Sequence, residues 1–169
     1  QQNVLRRGAV LYQDAELLVR EELREPRVYF SILRAISGGA TRLSQMTDQV
    51  QGTAGGGMLT SYVATLRELG LTEQRRPVVG DSVRRTTWAV ADPYLRFWFR
   101  FVLPNQAQLE HGGSVERVYQ TVVEPALDHF VSKPAFEEIC RAWVLDRVNR
   151  GDWPGVDRVG AWWGPIPDP

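Results

Sequence analysis

The chain has 169 residues, 43% hydrophobic and 24% charged, with 20 Lys+Arg balancing 20 Asp+Glu. That composition suits one folded domain or two small ones, and it excludes a disordered chain and a strongly basic chromatin-type protein. A single cysteine, Cys140, excludes an intrachain disulfide and a cysteine-based zinc site.

Within that neutral total the charge is uneven. Residues 1–90 hold 12 Arg against 9 acids, a net of +3, and residues 91–169 hold 7 Arg and one Lys against 11 acids, a net of −3. A nucleic-acid module followed by another domain fits this split, and so does ordinary fluctuation. No signal-peptide pattern and no apolar run near 18 residues occur, so a cytoplasmic location without a membrane partner is expected. The chain starts Gln1-Gln2-Asn3 and closes on loop-like Gly164-Pro165-Ile166-Pro167-Asp168-Pro169, which reads as a piece of a longer protein.

Residues 1–26 are expected to form a connecting segment with a helix capped by Asp14 and running to Arg24, with Leu17, Leu18 and Glu21 at helical spacing. Pro26 stops it. Residues 27–37 place Val28, Ile32, Leu33 and Ile36 on one helical face, ended by Gly38-Gly39. Thr41 offers an N-cap for a second helix, 42–50, with Leu43, Met46 and Val50 inward. Residues 51–57 form a turn. A third helix, 58–69, buries Leu59, Tyr62 or Val63, Leu66 and Leu69, and Gly70 ends it at the C′ position.

Residues 71–79 and 82–90 are rich in Val and Thr and read as two strands joined at Gly80-Asp81. Three helices and an arginine-bearing hairpin make a winged helix-turn-helix over 27–91. Residues 93–103 are an aromatic helix bounded by Pro104-Asn105. Residues 115–131 and 135–149 are amphipathic helices separated by Ser132-Lys133-Pro134, and 150–169 is a Gly-, Pro- and Trp-rich tail. The expected class is thus mainly α, with a winged helix followed by a helical segment that begins a second small domain over 92–169.

In a winged helix the third helix enters the major groove. Its outward candidates are Thr60, Ser61, Ala64, Thr65 and Arg67, suited to phosphates and thymine methyls more than to base discrimination. Arg75, Arg76, Arg84 and Arg85 cluster on the wing, where cations would neutralise phosphates or enter a minor groove. Duplex DNA is the partner this pattern points to. A protein–protein adaptor is the alternative, because the third helix carries few cations.

Other motifs carry less. Gly52–Gly57 lacks the Gly-Lys-Ser/Thr ending of a phosphate-binding loop and has no strand before it. His111 and His129 lack ligand spacing. Cys140, set among Ile139, Ala142 and Trp143, reads as a buried inert thiol. Glu137 and Glu138 read as helix-surface charges, because a metal nuclease needs two or three converging carboxylates. Trp162-Trp163 reads as the start of a strand or edge packing on the preceding helices, or else as an exposed patch.

The order of these features resembles a known family. A winged helix, the run Asp92-Pro93-Tyr94-Leu95-Arg96-Phe97-Trp98-Phe99-Arg100-Phe101-Val102 with Pro104-Asn105, then Phe136-Glu137, then Val159-Gly160-Ala161-Trp162-Trp163, is similar to the C-terminal half of archaeal-type prokaryotic P-loop (DEXX-box) ATPases. The resemblance implies an ATPase domain before residue 1, which would be a partner of this region and would bring ATP and Mg to the whole protein. No Walker motif lies in this chain, so no cofactor is expected in it. The winged helix would be the nucleic-acid or regulatory module. The C-terminal part resembles restriction-endonuclease-like folds, in which the early helix glutamate would fall on Glu137. The later Asp and Glu-x-Lys would lie beyond Pro169, so the catalytic set is incomplete here. Three readings stay open: a non-catalytic DNA-binding region of an ATPase, a regulatory adaptor, and part of a metal-dependent nuclease. A free-standing transcription regulator is a further rival to the ATPase assignment.

Overall fold

A computed structural model describes residues 2–5, 12, 14–17, 19, 23, 26–50, 56–79, 85–110 and 113–163. The described elements are mainly helical: α1 Gln2–Leu5, α2 Pro26–Ser37, α3 Leu43–Thr47, α4 Gly56–Glu68, the strands β1 Thr72–Arg75 and β2 Thr87–Val90, then α5 Pro93–Phe97, α6 Gln106–Glu110, α7 Val115–Val118, α8 Glu124–Phe130 and α9 Glu137–Asn149. The two strands pair as a small antiparallel sheet. By compactness the chain divides into two units, residues 1–74 with 87–125 and residues 75–86 with 126–169. Residues 92–125 therefore cluster with the first three-helix region, whereas the sequence suggested a boundary at 91/92.

The first unit is built around a dry core. In α2, Tyr29, Ile32, Leu33, Ala35 and Ile36 are buried, a stripe at helical spacing. The helix closes at Gly39, whose φ of 109° lets its N–H reach the Ile36 carbonyl while the Ala40 N–H reaches Ala35. The same paired closure ends α4, where Gly70 at φ 71° donates to Arg67 and Leu71 donates to Leu66. Any residue with a Cβ is strained at both positions.

α3 begins one residue later than Thr41 capping would give. Arg42 occupies the cap, and its N–H is held by the Gln45 side chain at 3.0 Å. The Thr41 carbonyl is committed elsewhere, to the Trp88 N–H at 2.8 Å, which ties β2 to the α2–α3 connection. On β2, Trp88 and Val90 alternate inward. α4 buries Leu59, Val63 and Leu66, but Leu69 is exposed because the helix has already turned out at its C-terminus.

Residues 12–23 bury Tyr12, Ala15, Val19 and Leu23, spaced three or four apart, and leave Leu17 56% exposed. The inward face is therefore offset from the one expected around Leu17. Leu18 and Glu21 lie outside the described residues.

Asp92 caps α5 by accepting the Leu95 N–H at 2.9 Å, with Pro93 at the first turn. Pro104 was expected to bound this helix, yet the ribbon continues through it. Residues Trp98–Val102 form a wide π-turn and Leu103–Asn105 a tight 3₁₀ turn before α6. The Leu103 N–H bonds the Trp98 carbonyl, five residues back, and Pro104 has no N–H to place. Trp98 and Phe99 are fully buried, and Phe30 meets both edge-on at 6.1 and 5.3 Å. The Trp98 Nε1–H donates to the Tyr12 carbonyl, and the Tyr12 hydroxyl donates to Glu110. Arg100 donates to the Ser37 carbonyl, placing a cation at the C-terminal end of α2. Burial raises the Tyr94 hydroxyl above its ordinary pKa, helped by the charges of Asp14 and Asp92 and opposed by a hydrogen bond with the Ala15 backbone.

The second unit is different. α8 leads into the turn 131–136, which breaks at Lys133 (φ −134°, ψ 111°), the extended conformation a following proline imposes. α9 then has no buried residue, and Phe136, Ile139 and Trp143 are more than half exposed. Cys140 on the same helix is exposed, contrary to the buried thiol expected from its apolar neighbours. Among the described residues no helix is long and apolar enough to cross a membrane.

Candidate nucleic-acid interface

α4 presents a mixed outward face. Met58, Thr60, Ser61, Arg67 and Leu69 are exposed, and Ala64 and Thr65 are half-buried. The Thr65 hydroxyl donates to the Ser61 carbonyl at 3.2 Å, so its proton is spent within the helix. Thr60, Ser61 and Arg67 are the members of the expected set that face solvent on this helix.

The wing arginines fare differently from one another. The Arg75 guanidinium donates to the Glu138 carboxylate, and both side chains are largely covered, 19% and 28% exposed. Arg76 is exposed. Arg85 is half-buried, and its carbonyl accepts the Trp163 Nε1–H at 2.8 Å. Arg84 and the Gly80-Asp81 connection lie outside the described residues. The paired strands are short, and beyond Arg75 the Val78 N–H bonds the Ala161 carbonyl at 2.9 Å. The stretch holding Ala161 and Trp163 thus meets the chain at Val78 and Arg85. No single residue of the sequence announces this pairing, because 63 positions separate Arg75 from Glu138.

Glu137 is exposed in the first turn of α9. Among the described residues no three His, Cys, Asp or Glu side chains gather closely enough to hold a metal ion. His129 is exposed, and His111 lies outside the described residues. The one lysine, Lys133, sits exposed at a helix break, and Glu138 is already engaged by Arg75.

Residues 98–166 match a family model, DUF234, described as archaeal and bacterial proteins of unknown function. Over 165 residues the chain is 24% identical to an uncharacterized protein of Methanocaldococcus jannaschii, covering 95% of this chain and 35% of the relative. The chain thus spans about a third of that relative's length. No solved structure matches.

Proposed function

We propose that this chain is the winged helix-turn-helix region of a larger ATP-hydrolysing protein, and that it binds duplex DNA chiefly through phosphates. The observation that carries the reading is the outward face of α4. Leu59, Val63 and Leu66 anchor the helix, while Thr60, Ser61 and Arg67 stand in solvent as a groove-docking helix requires. Exposed Arg76 on the wing would add a phosphate contact. Base discrimination is expected to be weak, because short hydroxyl side chains lack the bidentate geometry of Arg, Asn or Gln.

Fluorescence anisotropy on arbitrary duplex across a salt series tests this. Each phosphate neutralised contributes roughly 0.9 to the slope of log K against log salt. Replacing Arg67, Arg76, Arg84 and Arg85 by Ala should flatten the slope and weaken binding at every salt concentration. Equal binding by the quadruple variant and the wild type would sink the reading.

A second reading, a regulatory adaptor that docks a protein, is favoured by Met58 and Leu69. These apolar side chains are 46% and 40% exposed near the two ends of α4. An absence of duplex binding at low salt, together with loss of partner binding in a Met58→Ser, Leu69→Ser variant, would favour it.

A further inference from the structure

Three interactions of different kinds reach Arg75, Val78 and Arg85 from the chain's own C-terminal stretch. Glu138 takes the Arg75 guanidinium. The Ala161 carbonyl takes the Val78 N–H at 2.9 Å. The Trp163 indole donates to the Arg85 carbonyl at 2.8 Å. Gly160 lies so close to the hairpin that a Cβ there would sit 3.0 Å from the Val78 Cβ. The approach is thus built for a residue without a side chain.

A carboxylate on a guanidinium uses the same donor fork that a phosphate would use. Residues 160–163 likewise occupy two backbone groups of the hairpin, the Val78 N–H and the Arg85 carbonyl. We propose that Glu138 and residues 160–163 form a strap across Arg75, Val78 and Arg85, and that duplex DNA gains Arg75 only when the strap lifts. This rests on the DNA-binding reading and assigns its regulation. Lifting is cheap for a physical reason: among the described residues of this unit no aromatic or large aliphatic side chain is buried, and Arg158, Gly160 and Trp162 face solvent. Segments with few buried apolar contacts open far below the global unfolding free energy. The strap is thus a competitor in place, a surrogate for the nucleic acid.

The test pairs two readouts on the whole chain. Hydrogen exchange at the Val78 amide, without DNA, reports whether the strap is closed. Anisotropy with a fluorescent duplex at fixed low salt reports binding. Trp163→Phe keeps the ring and removes the donor, Gly160→Val drives a side chain into Val78, and Glu138→Gln removes the competing charge. Glu137→Gln, exposed on the same helix turn, controls for the change in net charge. Val78 exchange should accelerate in Gly160→Val and Trp163→Phe. The double variant Glu138→Gln, Trp163→Phe should bind duplex about tenfold tighter, the factor expected when the competent state is populated roughly a tenth of the time. Glu137→Gln should change little.

Duplex binding that is equal in wild type and released variants overturns the strap as a regulator and leaves the DNA reading standing. Duplex binding by no variant, even with the strap released, overturns both. A Val78 amide that exchanges freely in the wild type removes the strap itself.

Discussion

The first unit hides its hydrophobic side chains and the second displays them. Every buried aliphatic or aromatic side chain among the described residues, Pro77 aside, lies within 1–74 or 87–125. Nine of the twelve large hydrophobics that stand exposed lie in the other unit, among them Phe136, Ile139, Trp143 and Trp162. Composition already separates the helices: α2 carries two charged residues among twelve, α9 five among thirteen. Packing separates them as well: α2 and the ribbon 93–110 have each other to pack on, and α9 buries nothing.

The largest test of this contrast is a pair of truncations. Trp98→Ala should cost about 3–5 kcal/mol, since it empties a fully buried site and orphans the Tyr12 carbonyl. Trp143→Ala, 53% exposed, should cost less than about 1 kcal/mol. Urea titration followed by circular dichroism measures both, and comparable costs would mean that α9 is packed in solution after all. Next in size is Asp92→Ala. It removes the cap of α5 and should cost about 1 kcal/mol, with Asp92→Asn recovering most of it. A neutral Asp92→Ala would deny the cap any part in holding the aromatic ribbon.

The smallest effect concerns pH. The Tyr94 hydroxyl is raised above its ordinary value of 10.0 in the folded chain, mainly by burial. The unfolded chain therefore releases that proton first, so its contribution is intact below pH 10 and fades as pH climbs through the folded value. Tyr94→Phe should flatten the alkaline limb of a stability–pH profile above the ordinary tyrosine value of 10.0. An unchanged limb would assign the alkaline loss to other groups.

Local signals carried much of the first unit and the helix break of the second. The stripes of α2 and α4, the break at Lys133 and the closing role of Gly70 all arise from rules acting within four residues, and all four are legible in the sequence. The misplaced features depend on distant partners. The inward face of residues 12–23 is set by the core it meets, not by the acids that mask its spacing. Pro104 fails as a boundary because the preceding turn widens, and that widening has no signature of its own. Arg75 reads as a free cation until Glu138 is found beside it. Of the expected interface, the exposed Thr60, Ser61 and Arg67 were foreseeable from helical spacing, whereas the hydrogen bonds of Ala161 and Trp163 with Val78 and Arg85 were not.

The wide turn at Trp98–Val102 also constrains how this stretch can change length. Five residues there cover the angular distance that four would cover in a regular helix, and the proline ring at 104 needs that slack to clear the Arg100 carbonyl. The extra residue and the proline are therefore a matched pair. Homologous chains that replace the proline are free to delete one position inside the turn and keep Leu109 in phase with the core, and those that retain it are not.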